Sequence, residues 1–138
     1  MNPEQFLQSV YLGDRACKAI LIDSWKRRVA IQVDCISRLK PGSQTWDFYT
    51  DADINDGWLV FTGVSSVRLT PSGPLPNDFI EVVSVERFER PGEQPVYQFE
   101  LSAGSGDEGG NLTELRIEIE ASWVHLEDPA RPGVEISE

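Results

Sequence analysis

The chain has 138 residues, 40% of them hydrophobic, and carries 23 Asp and Glu against 12 Lys and Arg, for a formal net charge of −11 and a sequence pI near 4.4. A field of that sign repels phosphate backbones and anionic lipid, so nucleic acid and membrane surfaces are not expected partners and a basic protein is the natural complement. The length suits one domain with its own core, needing no disulfide or metal as a staple. No apolar stretch approaches the ~20 residues that cross a bilayer, and the N-terminus lacks a basic region followed by an apolar one, which predicts a cytoplasmic address. In that compartment Cys17 and Cys35 read as two small buried thiols.

The first residues predict a short helix. Asn2 can cap, Pro3 suits the first helical position, Gln5 has capping-box spacing, Phe6, Leu7, Val10 and Tyr11 supply an apolar stripe, and Gly13 ends it. From Cys17 to Trp25 and from Arg28 to Leu39 the period changes to two, as in a hairpin. A turn centred on Lys26 would set Leu21 against Ile31, Ala19 against Val33, Cys17 against Cys35 and Lys18 against Asp34. A polar turn follows at Pro41, Gly42 and Ser43. Trp46, Phe48 and Tyr49 then mark an apolar segment that leads into the acidic stretch Asp51 to Gly57.

Residues 58–62 and 64–70 read as strands interrupted by a bulge or tight link at Gly63. The three prolines between Pro71 and Asp78 predict a loop. Residues 79–89 and 96–103 form a predicted hairpin across Pro91, Gly92 and Glu93. In the last strand Leu115, Ile117, Ile119, Ala121 and Trp123 alternate with Arg116, Glu118, Glu120 and Ser122, which makes one face core and the other wet. About seven strands, one N-terminal helix and no crossover helices predict a mainly β fold, an antiparallel sandwich or half-open barrel. Residues 1–128 form the expected domain, and 129–138, which lack periodicity, an acidic and flexible tail.

Chemically suggestive strings fail on context. In the stretch Asp51 to Gly57, Asp51, Asp53 and Asn55 alternate like calcium ligands, but an EF-hand loop wants Gly where Asp56 stands and Glu where Thr62 stands. Thr50 and Asp53 instead have the spacing of a capping box, which predicts a single helical turn stopped by Gly57. The glycines from Gly104 to Gly109 spell a dinucleotide fingerprint, yet a strand follows in place of the required helix, so a mobile hairpin loop is expected. The sequon Asn111 to Thr113 has no secretory signal to give it meaning. His125 is the only histidine, which denies a His-based metal site, and nothing places Ser122 and Asp128 around it as a triad. Glu118 and Glu120 share a strand face with Glu114, and Glu100 stands on a neighbouring strand. A solvent-facing strand provides neither the raised pKa nor the fixed separation of an acid–base pair, so no catalytic residue, metal or cofactor is expected and an acidic docking surface is.

The Asn2-Pro3 start, Gly13 to Ala16, Leu59 to Phe61 with Gly63-Val64, the Pro76 to Asp78 loop and the ending Leu126 to Pro129 together resemble a bacterial family of small acidic β domains, similar to immunity proteins of polymorphic toxin systems. The resemblance implies a non-enzymatic protein that binds and occludes a basic toxin. On that reading Asp51, Asp53, Asp56, Trp58, Glu118 and Glu120 are the candidate partner-binding residues, with carboxylates steering encounter and an aromatic as anchor. Two rivals stand beside it. One is a structural or self-associating β domain that pairs its strand edges. The other is a hydrolase or small-ligand binder with a carboxylate-lined pocket near Trp46, Tyr49 and Trp58.

Overall fold

A computed structural model of the protein describes residues 1–39 and 53–138. The N-terminal capping box forms as the spacing requires: Gln5 N donates to Asn2 Oδ1 at 2.8 Å and Asn2 N to Gln5 Oε1 at 3.1 Å. Helix α1 (Pro3–Gln8) is shorter than its apolar stripe suggests. Ser9 terminates it by returning both its N–H and its hydroxyl to Phe6 O, which frees Val10 and Tyr11 to pair as a strand. Phe6 and Leu7 remain buried, and the Arg38 guanidinium lies 5.0 Å over the Phe6 ring.

The strands that follow are β1 (Val10–Tyr11), β2 (Cys17–Asp23), β3 (Arg28–Val33), β4 (Cys35–Arg38), β5 (Ile54–Asn55), β6 (Trp58–Thr62), β7 (Ser66–Thr70), β8 (Ile80–Phe88), β9 (Val96–Gly106), β10 (Leu112–Ala121), β11 (Trp123–Glu127) and β12 (Glu135–Ile136). They form three antiparallel sheets, ordered β1-β4-β5, β7-β10-β9-β8 and β12-β11-β6-β3-β2. The mainly β, sandwich-like architecture expected from the alternation is what the chain adopts. Several predicted strands divide. Asp34 separates β3 from β4, its Oδ1 accepting from the backbone of Ala16 and of Cys35, and Ser122 separates β10 from β11. Ile54 and Asn55 belong to β5 and pair with β4, so the helical turn expected before Gly57 does not form there. The aperiodic segment 129–138 contains β12, which pairs with β11 through Leu126 and Glu127.

The β2–β3 hairpin closes one residue away from the predicted register. Asp23 Oδ1 accepts from Lys26 N and Arg27 takes a left-handed φ of 52°, so the turn is the four residues between Asp23 and Arg28. Ile20 therefore faces Ile31, Leu21 faces Ala30 and Ala19 faces Gln32. Lys18 is the extra residue of a bulge between Cys17 and Ala19, and it pairs with Asp56 at 2.7 Å in place of Asp34. Cys17 stands opposite Val33 and Cys35 opposite Asn55 in another sheet, so the cross-strand cysteine pair does not exist and both thiols are free.

The two larger sheets are joined by one folded ribbon. β6 continues into β7 and β10 into β11, and the two composite strands pair on both sides of a corner, Thr62 with Trp123 before it and Ser66 with Glu120 after it. Three residues on one strand, Gly63 to Ser65, oppose two on the other, Ala121 and Ser122, which is the count of a β-bulge. Ser122 N donates to Thr62 O, Ser65 N to Glu120 O, and Val64 N to Arg27 O, tying the β2–β3 turn to the corner. Inside the fold, Phe61 of β6 meets Phe99 of β9 edge-on with ring centroids 4.9 Å apart, and Ile31, Leu59, Leu101, Ile117 and Leu126 are fully buried around them.

Two measurements test this account. Gly63 has φ 62°, and a Cβ there would lie 2.5 Å from Ser122 Oγ. Gly63→Ala should cost about 1–3 kcal/mol in denaturant unfolding, with partial recovery when Ser122→Gly removes the contact but not the backbone strain. Cys17 is 2% exposed, and burial pushes its thiol from the ordinary 9.0 up to about 11, against a weaker opposing hydrogen bond with the Ala19 backbone. A thiol reagent should therefore modify half-buried Cys35 in the native protein and Cys17 only on unfolding. The raised value also means that Cys17 supports the fold fully below pH 9 and less as pH climbs toward 11.

Candidate functional site

Alternation along the four-stranded sheet sends Leu115, Ile117, Ile119, Phe99, Leu101 and Val67 inward and everything between them outward. Register then assembles the outer face. Glu118 lies between Arg68 and Glu100, with Ser84 beyond Glu100; Arg116 lies between Thr70 and Ser102, with Glu81 beyond Ser102; Glu120 lies between Ser66 and Gln98, with Glu86 beyond Gln98. With Glu114 this makes six glutamates against two arginines on one surface among the described residues, and Glu81, Glu114 and Glu118 with both arginines line an open trough of about 710 Å³ there.

Only part of that charge is neutralised internally. Arg116 Nε meets Glu100 Oε1 at 2.6 Å, Ser84 donates to Glu100, Ser102 donates to Glu114 at 2.7 Å, and Ser65 donates to Glu120 at 2.9 Å. Glu118 stands directly opposite Glu100, a like-charge cross-strand pair that costs a few tenths of a kcal/mol or more, roughly up to 1, when nothing lies between them. The carboxylates are spread over a pleated surface open to solvent. Among the described residues no group of His, Cys, Asp and Glu is arranged to hold a metal ion.

The predicted partner-binding residues do not form one cluster. Glu118 and Glu120 sit half-buried on this acidic face. Asp56 belongs to the tight link before β6, with φ 54° and its carboxylate on Lys18, and Asp53 is exposed next to β5. Trp58 is half-buried at the start of β6, across the corner from the glutamates and between Gln32 and Glu127 on the outer face of the other sheet. Asp51, with Trp46, Phe48 and Tyr49, lies outside the described residues.

That second outer face holds a group the sequence reading passed over. His125, Val60, Ala30 and Leu21 line up across four strands on the side away from the core, and the first three are nevertheless buried. On the same face the Arg28 guanidinium, from a register position opposite Thr62, reaches Glu127 Oε2 at 2.5 Å. His125 Nε2 donates to the same oxygen at 2.7 Å. Burial opposes ionisation of Glu127, but the His125 hydrogen bond and the Arg28 charge outweigh it and hold the carboxyl below its usual range. The period-two series Trp123, His125, Glu127 was the available signal, and Arg28 could not be matched to it because the contact spans 99 residues.

A depressed carboxyl contributes stability that is present above the unfolded value and lost as pH falls through the folded one. Glu127 therefore adds to acid unfolding below about pH 4.3, the ordinary glutamate value. Unfolding free energies measured across the acid range should show a flatter decline in Glu127→Gln than in the parent chain.

No helix of the described residues is long and apolar enough to cross a membrane. Neither the curated proteins nor the solved structures yield a match to this sequence. One family model does match, over residues 1–138, and the chain accordingly belongs to DUF6258, a family of unknown function.

Proposed function

We propose that the chain is a non-enzymatic, cytoplasmic protein-binding module whose acidic sheet face captures a basic partner. The observation that carries this reading is the gathering of Glu81, Glu86, Glu100, Glu114, Glu118 and Glu120 on one side of the β7-β10-β9-β8 sheet with only Arg68 and Arg116 among them. Such a surface accelerates encounter with a cation-rich protein and discriminates against anionic competitors. The direct opposition of Glu118 to Glu100, only partly offset by Arg116 on Glu100 and by Arg68 across from Glu118, fits a surface kept for binding at some expense in stability. An immunity protein that occludes a basic toxin is the biological role we favour, because charge presented across a broad sheet face suits inhibition by coverage. The family itself has no assigned function.

Exchanging Glu114, Glu118 and Glu120 for lysine together should slow association with a basic partner, such as the product of an adjacent reading frame, at least about tenfold at low salt, with most of the difference disappearing at high salt. Glu118→Gln alone should bind more weakly while unfolding at the same or slightly higher denaturant concentration. An on-rate that ignores both substitution and ionic strength would sink the proposal.

A further inference from the structure

The charge is divided unevenly along the chain. The first forty residues hold seven Lys and Arg against four Asp and Glu, while the remaining ninety-eight hold five against nineteen. In the fold two of the N-terminal cations, Lys26 and Arg27, sit at the tip of the β2–β3 hairpin. Trp25 at that tip is 96% exposed, Leu21 and Ile22 are 49% and 50% exposed beside it, and Lys26 and Arg27 flank the indole. Neither Lys26 nor Arg27 has an acidic side-chain partner among the described residues. Trp25 with Leu21 and Ile22 forms an exposed apolar patch flanked by cations, the kind of surface that marks an interaction site.

A complementary feature lies elsewhere on the same molecule. Between α1 with the segment after it and the edge strand β8 runs a groove of about 420 Å³, floored by Leu7, Leu12, Val82 and Val85 and rimmed by Glu4 and Glu81. β8 ends its sheet, so no strand occupies that side of it among the described residues. The groove is large enough for an indole, and two carboxylates at its rim match two cations beside the tryptophan. Knob and groove are separated by the length of β2, because Leu12 precedes that strand and Trp25 follows it, so a chain cannot fill its own groove with its own hairpin tip.

We infer that the occupant of the groove is a second copy of this chain, inserting Trp25 between Glu4 and Glu81 so that Lys26 and Arg27 meet those carboxylates. The contact joins different surfaces of the two copies, so it repeats from one molecule to the next. It shares Glu81 with the acidic face proposed above but leaves Glu114, Glu118 and Glu120 outside the joint, so substitutions at those three test the partner separately from self-association.

Sedimentation of the full chain over a wide concentration range at low salt should show mass rising with concentration and falling as salt is added. Trp25→Ala should weaken association at least about tenfold, as expected for a buried aromatic anchor. Two charge-reversed variants, Lys26→Glu with Arg27→Glu and Glu4→Lys with Glu81→Lys, should each be monomeric alone and assemble when mixed, since each then offers the other a matched knob and a matched groove. All of these side chains are on the surface, and a thermal melt of each variant establishes that it is folded. A parent chain that stays monomeric at every concentration, a Trp25→Ala variant that assembles like the parent, or reversed variants that ignore each other would each overturn the inference.

Discussion

The bulge at Gly63 and Ser122 is the constraint on which the rest of the molecule depends. A single antiparallel ribbon, β6–β7 paired with β10–β11, passes from one sheet to the other there, and the extra residue on one strand turns the pleat so that both inner faces look onto the same core. Phe61 and Phe99 can meet edge-on only because the strands carrying them are set by that turn. The hydrogen bond from Val64 to Arg27 extends its reach to the hairpin whose tip holds Trp25. Glycine is required at the corner because the left-handed backbone and the closeness of Ser122 together exclude a side chain.

The two outer faces made by this ribbon differ in kind. On the four-stranded sheet, alternation along β7 and β10 leaves a surface of glutamates that serines and one arginine partly satisfy. On the five-stranded sheet, both sides are dry in the middle, where Val60, Ala30 and His125 are buried, and Arg28 and Glu127 pair on the same outer face. A partly buried ion pair of this kind is weak grounds for net stability, but removing either member would leave the other uncompensated. The acidic face is thus free to meet a partner, whereas the other face already spends its charges on itself.

Local signals in the sequence were legible wherever the determining groups lie close together. The capping box of α1, the strand Trp58 to Thr62, the bulge at Gly63 and the alternation of β10 all follow from neighbours within a few residues. Hairpin register was not legible, because it turned on the Asp23 carboxylate and on Arg27 entering a conformation that side chains seldom adopt. The separation of β3 from β4 likewise rests on Asp34 capping two backbone amides, one of them eighteen residues away. For the candidate site, the carboxylates of β10 could be placed on one face from alternation alone. Their companions Glu81 and Glu86 joined them only through pairing registers that no local pattern encodes, while Asp56 and Trp58, acidic and aromatic as expected, fell on the other side of the corner.

The shared ribbon also bears on how the chain reaches its native form. Trp58 pairs with Glu127 and Thr70 with Arg116, so neither large sheet can be completed until segments dozens of residues apart have found each other. Loop closure on that scale precedes the contacts that reward it, which places the protein among topologies of high contact order, folding in milliseconds to seconds. The β2–β3, β8–β9 and β9–β10 hairpins, whose partners are adjacent in the chain, close the shortest loops, whereas the corner joins segments far apart in sequence.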